Sequence, residues 1–382
     1  MKIALPDARG RLADYTLTGT YLPEYRLPAN AVRTVYSAAH VVADPFTGKD
    51  PSGQATVDWD RTMQFRRYLA GLGLGIAEAM DTAQRGMGLD WPGALDLIRR
   101  TRAEVPDALV ANGCGTDHLN PADARSTDDV IRAYLKQVEA IQKLNARIIL
   151  MASRALARVA KGPADYLRVY DRVLEACDRP VILHWLGEMF DPQLTGYWGS
   201  NSFGNALETA LNVIKSNQDK VDGIKISLLD KDKEIAMRRR LPAGVKMYTG
   251  DDFNYPELIE GDAQGYSHAL LGIFDPLAPA AAHAVGLLGK GDATGFHATL
   301  DPTVPLARLI FRAPTQYYKT GVVFLAWLNG FQDHFIMLNG AQAMRPLPYF
   351  SEVFRLADGC GLLRHPDLSV DRMKKLLALY GV

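Results

Sequence analysis

The chain has 382 residues, 48% of them hydrophobic, which is enough for a large core, and its 43 lysines and arginines balance 43 aspartates and glutamates. That balance excludes the strongly basic surface used to bind nucleic acid or an acidic membrane; the one basic run, Arg238-Arg239-Arg240, follows Asp232 and Glu234 and reads as a solvated helix face. The three cysteines, Cys114, Cys177 and Cys360, are far apart with no Cys-x-x-Cys spacing, which fits a reducing cytoplasm and argues against a zinc–thiolate site.

A polar, proline-bearing leader covers residues 1–30, and its start lacks the apolar centre of a signal peptide. No apolar run reaches membrane-spanning length. Strand and helix patterns then alternate. Strands are predicted at 32–42, 74–80, 108–112, 147–152, 181–186, 223–227, 245–249 and 265–270, and helices at 59–70, 91–104, 127–144, 163–176 and 205–215. Pro92 suits a first helical turn, and Ser126 or Thr127 caps the third helix. Alternation repeated about eight times predicts a (β/α)8 TIM barrel over 31–300, with an open doubly wound sheet as the competitor. The glycines of Gly71-Leu72-Gly73-Leu74-Gly75 precede a strand instead of following one, so they do not make a dinucleotide loop. Residues 301–382 read as helices at 302–312, 316–329, 331–342, 349–358 and 370–379, a C-terminal helical subdomain whose aromatic stripe is core or subunit contact.

The chemistry begins with Lys225, a lone cation in the apolar strand Gly223-Ile224-Lys225-Ile226. Burying an ammonium is costly unless it is paired or loses its proton. A lysine that loses its proton near neutral pH is a nucleophile able to form a Schiff base with a carbonyl. The plain alternative is a lysine at a strand end that extends into solvent. Barrel active sites lie at the carboxyl ends of the strands. The polar residues predicted there are Glu78, Asp81, Thr82, Asn112, His184, Lys225, Asp251, Asp252 and His268. Each also has a structural reading: Glu78 answering a buried partner, His184 a hydrogen-bonded core histidine, Asn112 satisfying backbone, and Asp251 or Asp252 capping the next helix.

Four motifs, in order over roughly residues 32–382, resemble the dihydrodipicolinate synthase and N-acetylneuraminate lyase superfamily of class I aldolases. Arg179-Pro180-Val181-Ile182-Leu183-His184 resembles its fifth strand, Pro-Val-Ile-Leu-Tyr, and Gly223-Ile224-Lys225 resembles the strand bearing its Schiff-base lysine. Tyr248-Thr249-Gly250-Asp251-Asp252 resembles its Gly-Asp-Asp element, and Met344-Arg345-Pro346-Leu347-Pro348 the Arg-Pro-Pro-Leu of its C-terminal helices. The whole is similar to a divergent branch catalogued as a domain of unknown function. Without a gap, the family's Gly-Thr-Thr-Gly-Glu loop falls on Asp81-Thr82-Ala83-Gln84-Arg85, where only Thr82 keeps the type. The family binds a keto-acid carboxylate there; Asp81 would repel one and Arg85 attract one. His184 stands where the family has its proton-relaying tyrosine.

The resemblance implies a class I lyase, an aldolase or dehydratase, without a cofactor. Lys225 attacks a ketone, His184 moves the proton, and Glu78 or Asp251 assists. Glu78, Asp81, Thr82, Asn112, Asp251, Asp252 and His268 then bind the substrate, whose many acceptor contacts suit a keto-sugar or sugar acid. Two alternatives stay open: a metal-dependent sugar isomerase, epimerase or lyase using Glu78, His184, Asp251 and His268 as ligands, and a non-catalytic carbohydrate-binding barrel. Strands two and five lie nearly opposite in a barrel, so no obligatory metal is expected. The resemblance also implies a homo-oligomer.

Overall fold

The structure is a computed structural model and describes residues 1–7 and 9–382. It opens with an antiparallel hairpin, β1 (Lys2–Pro6) and β2 (Leu12–Thr16), in register from Lys2↔Thr16 to Pro6↔Leu12. Residues 1–30 are therefore more than a leader. Ile3 and Leu5 alternate with exposed Lys2 and Ala4, a period-2 pattern too short to stand out beside Pro6. The hairpin is anchored to the C-terminal helices: the Asp358 carboxylate accepts from the Tyr15 hydroxyl at 2.7 Å and from the Thr18 N–H at 2.8 Å.

Eight parallel strands follow: β3 (Val35–Ala38), β4 (Gly75–Glu78), β5 (Val110–Cys114), β6 (Arg147–Leu150), β7 (Val181–Leu186), β8 (Val221–Ser227), β9 (Lys246–Thr249) and β10 (His268–Leu271). They close in the order β10-β3-β4-β5-β6-β7-β8-β9. Because β10 pairs with both β9 and β3, the sheet has no edge and the open doubly wound alternative falls. The chain is a (β/α)8 TIM barrel with C-terminal helices.

The barrel helices are α1 (Trp59–Gly71), α2 (Trp91–Glu104), α3 (Thr127–Lys143), α4 (Arg154–Val159), α5 (Pro163–Glu175), α6 (Phe203–Ser216), α7 (Lys231–Arg238), α8 (Tyr255–Glu260), α9 (Ala278–Leu288) and α10 (Ala293–Leu300). Their starts are written in the sequence. Asp58 and Asp90 accept from backbone N–H groups of the first turns of α1 and α2, Pro92 sits in the first turn of α2, and Ser126 and Asp129 form a reciprocal capping box on α3. The tail holds α11 (Val304–Ile310), α12 (Tyr318–Leu328), α13 (Leu347–Gly359) and α14 (Pro366–Leu379). The helix predicted at 331–342 does not form. Left-handed Gly330 precedes it, left-handed Asn339 and Gly340 interrupt it, and only a short 3-10 stretch, Leu338–Met344, remains.

Side chains inside the barrel include Tyr36, Ala77, Ala111, Ile149, Ile182, Tyr248 and Leu270. Tyr36 and Tyr248 meet edge to face, 6.0 Å apart, across the floor. Gly75 and Gly223 make room for them: a Cβ at either position would lie 2.8 Å and 2.7 Å from the respective tyrosine ring. Among the described residues no helix is long and apolar enough to cross a membrane.

Candidate active site

Strand register decides which residues face the interior. Lys225 lies opposite His184 on β7 and Tyr248 on β9, while Ile224 and Ile226 join the outer layer beneath the helices. Lys225 therefore points into the barrel near its carboxyl end. It is 7% exposed. Burial lowers its pKa, opposed by the negative charges of Asp252 and Asp81, and burial prevails. The stem of Lys225 crosses Gly250, where a Cβ would come within 2.7 Å of the lysine Cε and 2.3 Å of the Ser227 Oγ. The glycine before the two aspartates thus leaves the space that the lysine fills.

His184 is buried on the same inner face, with its Nε2 3.2 Å from the Ser227 Oγ. Burial first, and then the neighbouring Lys225 cation, hold its pKa well below the usual imidazole range. Its neutral form is therefore favoured, with the ring placed by the contact to Ser227. Asp252 is buried as well; its Oδ1 accepts from the Ile273 N–H at 2.8 Å. Burial raises its pKa against the pull of Lys225, so this carboxyl holds its proton more readily than an ordinary aspartate.

Asp81 and Thr82 follow β4 at the mouth, and both are met by α12. The Asp81 Oδ2 lies 2.8 Å from the Lys319 Nζ, and the Thr82 Oγ1 lies 2.8 Å from the Tyr318 hydroxyl. Lys319 is buried, and its ammonium also donates to the Gln316 carbonyl at 3.0 Å. Phe311 stacks on the Tyr318 ring at 4.2 Å, and Phe190 meets both rings edge-on. The C-terminal helices therefore supply a wall of the site. Tyr318 and Lys319 are absent from the sequence-based set. Their signal was a polar pair opening the otherwise apolar helix Tyr318–Leu328.

Four expected residues lie elsewhere. Glu78 is one residue out of phase with the inward Ala77. It faces α1 and α2, where Arg66 grips both oxygens at 2.8 and 2.9 Å and Thr101 donates at 2.6 Å. Asn112 shares that outward phase and donates to the Arg147 carbonyl at 2.9 Å. Asp251 is spent on the turn into α8, accepting from Phe253 and Asn254 N–H groups at 2.8 and 3.1 Å. His268 faces inward but begins β10, so it lies on the floor, its ring tilted against Tyr248 at 5.6 Å, with its Nδ1 accepting from the Thr34 N–H at 2.9 Å. Burial, and then Lys246 and Arg33, lower its pKa to about 4. Glu78, His184, Asp251 and His268 thus point in different directions and do not assemble as metal ligands. Among the described residues no group of three or more His, Cys, Asp or Glu side chains converges in that way. Arg85, read as a carboxylate attractor, is also committed: its nitrogens serve Asp117, Gln137 and the carbonyls of Ala79 and Gly113.

Beside His184 opens a cavity of about 240 Å³, lined among others by Asp81, Thr116, Met151, Arg154 and Asp191. His184 borders this space of small-molecule size, and behind it on the barrel's inner face lie the Lys225 amine and the Asp252 carboxyl, whose pKa burial raises to about 7. That arrangement can add to a carbonyl and exchange a proton beside it.

The family described as "Protein of unknown function (DUF993)" matches residues 3–382, and the chain belongs to it. No curated protein matches the chain. Among solved structures, the chain is similar to the chloride-inhibited dihydrodipicolinate synthase from Acinetobacter baumannii complexed with pyruvate, at 15% identity and TM-score 0.63 over 87% of this chain and 99% of that one. It is similar to a prophage protein of the dihydrodipicolinic acid synthase family from E. coli K12 in complex with pyruvate, at 16% identity and TM-score 0.65 over 87% and 99%. It is also similar to dihydrodipicolinate synthase from Thermotoga maritima, at 16% identity and TM-score 0.64 over 87% and 99%. At such identities the likeness is one of fold: a (β/α)8 barrel with C-terminal helices similar to that of the dihydrodipicolinate synthases.

Proposed function

We propose that this member of the DUF993 family is a Schiff-base-forming lyase, an aldolase or a dehydratase, acting on a keto-sugar or keto-acid through Lys225. One observation carries the reading. The Lys225 amine stands buried on the inner face of β8 beside His184, and burial favours its neutral form.

The neutral amine adds its lone pair to the substrate carbonyl carbon. Loss of water from the resulting carbinolamine gives a protonated imine. The imine draws in the electron pair of a neighbouring C–H or C–C bond, so a proton or a carbonyl fragment departs and an enamine remains. In a dehydratase, the enamine then expels a β-hydroxyl group, which leaves as water once protonated. In an aldolase the enamine carbon instead takes up a proton, which returns it to the imine; in either case hydrolysis of the final imine releases product and restores the amine.

The assisting role read for Glu78 or Asp251 passes in this scheme to Asp252, a carboxyl whose raised pKa suits it to hold and return a proton beside Lys225. His184 orients the reacting carbonyl through its neutral ring. Two of the similar structures are complexes with pyruvate, which supports a keto-compound as the ligand class.

The test is borohydride reduction in the presence of a panel of keto-acids and keto-sugars, followed by intact mass and peptide mapping. A substrate-sized mass on Lys225 is the expected result. Turnover without any trapped adduct would remove the reading, and restoration of chelated activity by a divalent ion would promote a metal-dependent one. Saturable sugar binding with neither turnover nor adduct would indicate a binding barrel.

A further inference from the structure

The cations around the cavity are not equivalent. Arg85 has every nitrogen committed, to Asp117 at 2.7 and 2.8 Å, to the Gln137 amide oxygen at 2.8 Å, and to the backbone carbonyls of Ala79 and Gly113 at 3.1 and 2.9 Å. The Lys319 ammonium is divided among Asp81, the Gln316 carbonyl and the Met87 sulfur. Arg154 differs. Its Nε donates to the Asp191 Oδ2 at 2.5 Å, while Nη1 and Nη2 have no hydrogen-bond partner among the described residues. Asp191 is itself held, its Oδ1 accepting from the Gln193 N–H at 3.1 Å. The guanidinium is gripped along its Nε side, and its outer fork is left open.

That fork borders the cavity. Arg154 and Gly86 both line it, and the side chain is 35% exposed, so solvent and solutes reach it. Gly86, at φ +71°, lies beneath the fork: a Cβ there would sit 3.4 Å from Nη1 and 3.8 Å from Nη2. A planar pair of N–H groups fixed by a carboxylate on its other side matches the two oxygens of a carboxylate or a phosphate.

The position says which end of a ligand it would hold. Arg154 follows β6 and Lys225 lies on β8, with β7 and His184 between them. Two strand spacings amount to roughly 10 Å. An anion on Arg154 is therefore remote from a carbonyl carbon on Lys225. At the Lys225 end, Asp81 and Asp252 make a second anion unwelcome.

We propose that Arg154 is the anion anchor of this cavity, and that the substrate carries a carboxylate or a phosphate at the end remote from the carbonyl that Lys225 attacks. The inference rests on the Schiff-base reading for the carbonyl end only; the anion end stands on the geometry of Arg154.

The test is titration of the full chain at low salt with inorganic phosphate and, separately, with succinate, followed by calorimetry. The two arms distinguish a phosphate from a carboxylate as the preferred group. One of them binds the parent, and Arg154→Gln weakens it about tenfold or more, as expected for loss of charge-assisted hydrogen bonds. Arg154→Lys keeps the charge without the fork and falls between. Asp191→Asn keeps an acceptor for Nε, removes the competing charge and tightens binding, a gain that misfolding cannot imitate. Failure of both anions to bind the parent, or equal affinity in parent and Arg154→Gln, would overturn the anchor even where Lys225 forms adducts. Affinity lost in Arg154→Gln with no adduct at Lys225 would uphold the anchor and sink the Schiff-base reading.

Discussion

Asp81, just beyond β4, and Lys319, on α12 of the C-terminal tail, meet at 2.8 Å in the mouth of the barrel. The contact ties the tail to the loop beside Lys225, and the ammonium is 2% exposed. Removing one partner of such a pair strands the other. Lys319→Met is expected to destabilise the fold by about 1–3 kcal/mol, and adding Asp81→Asn to recover part of that loss. Denaturant unfolding of the single and double variants measures both. An additive double variant would show that the two charges do not support each other.

Lys225→Ala is expected to abolish adduct formation and turnover with the fold retained. Lys225→Arg is expected to be equally inactive, since a guanidinium does not give up its proton to become a nucleophile. Substantial activity in the arginine variant would make the residue a fixed charge.

Adduct formation needs the free amine, so its rate should climb as pH rises through the depressed Lys225 pKa and level off below the ordinary lysine value of about 10.4. Asp252 opposes that depression. In Asp252→Asn the opposition is gone, the free amine is favoured further, and the climb moves to lower pH. Trapping rates across pH on parent and variant measure the shift. A climb displaced to higher pH would contradict the assignment.

Glu78 should behave as a structural residue. Arg66 holds it bidentately and both side chains are fully buried. Glu78→Gln leaves the guanidinium without its charge partner and is expected to lower stability by about 3–5 kcal/mol. The pH dependence of Lys225 trapping should stay as in the parent. A variant of unchanged stability with an altered trapping profile would return Glu78 to the site.

The contrast between Glu78 and Lys225 shows what was legible in the sequence. Alternating strands and helices, the first-turn Pro92, the cap at Ser126, and the lone cation in Gly-Ile-Lys-Ile are local patterns, and they yield the barrel and its lysine. Which polar residues share the face of Lys225 depends on strand phase, and one residue of phase separates Ala77 inside from Glu78 outside. His268 has the right phase at the wrong end of its strand. Asp251 and Asp252 are neighbours with different duties, because one turns its oxygens to the N–H groups of the next turn. Tyr318 and Lys319 reach the mouth only through tertiary folding, so no spacing near Lys225 announces them.

The dependence of the mouth on α12 has a consequence for synthesis. A ribosome making this chain releases all eight barrel strands before the segment that pairs with Asp81 and Thr82 exists. The hairpin made first waits longer still, since its partner Asp358 lies near the end of α13. A nascent or prematurely terminated barrel therefore has Lys225 in place but an unfinished rim, and the rim is completed only once α12 has followed the strands.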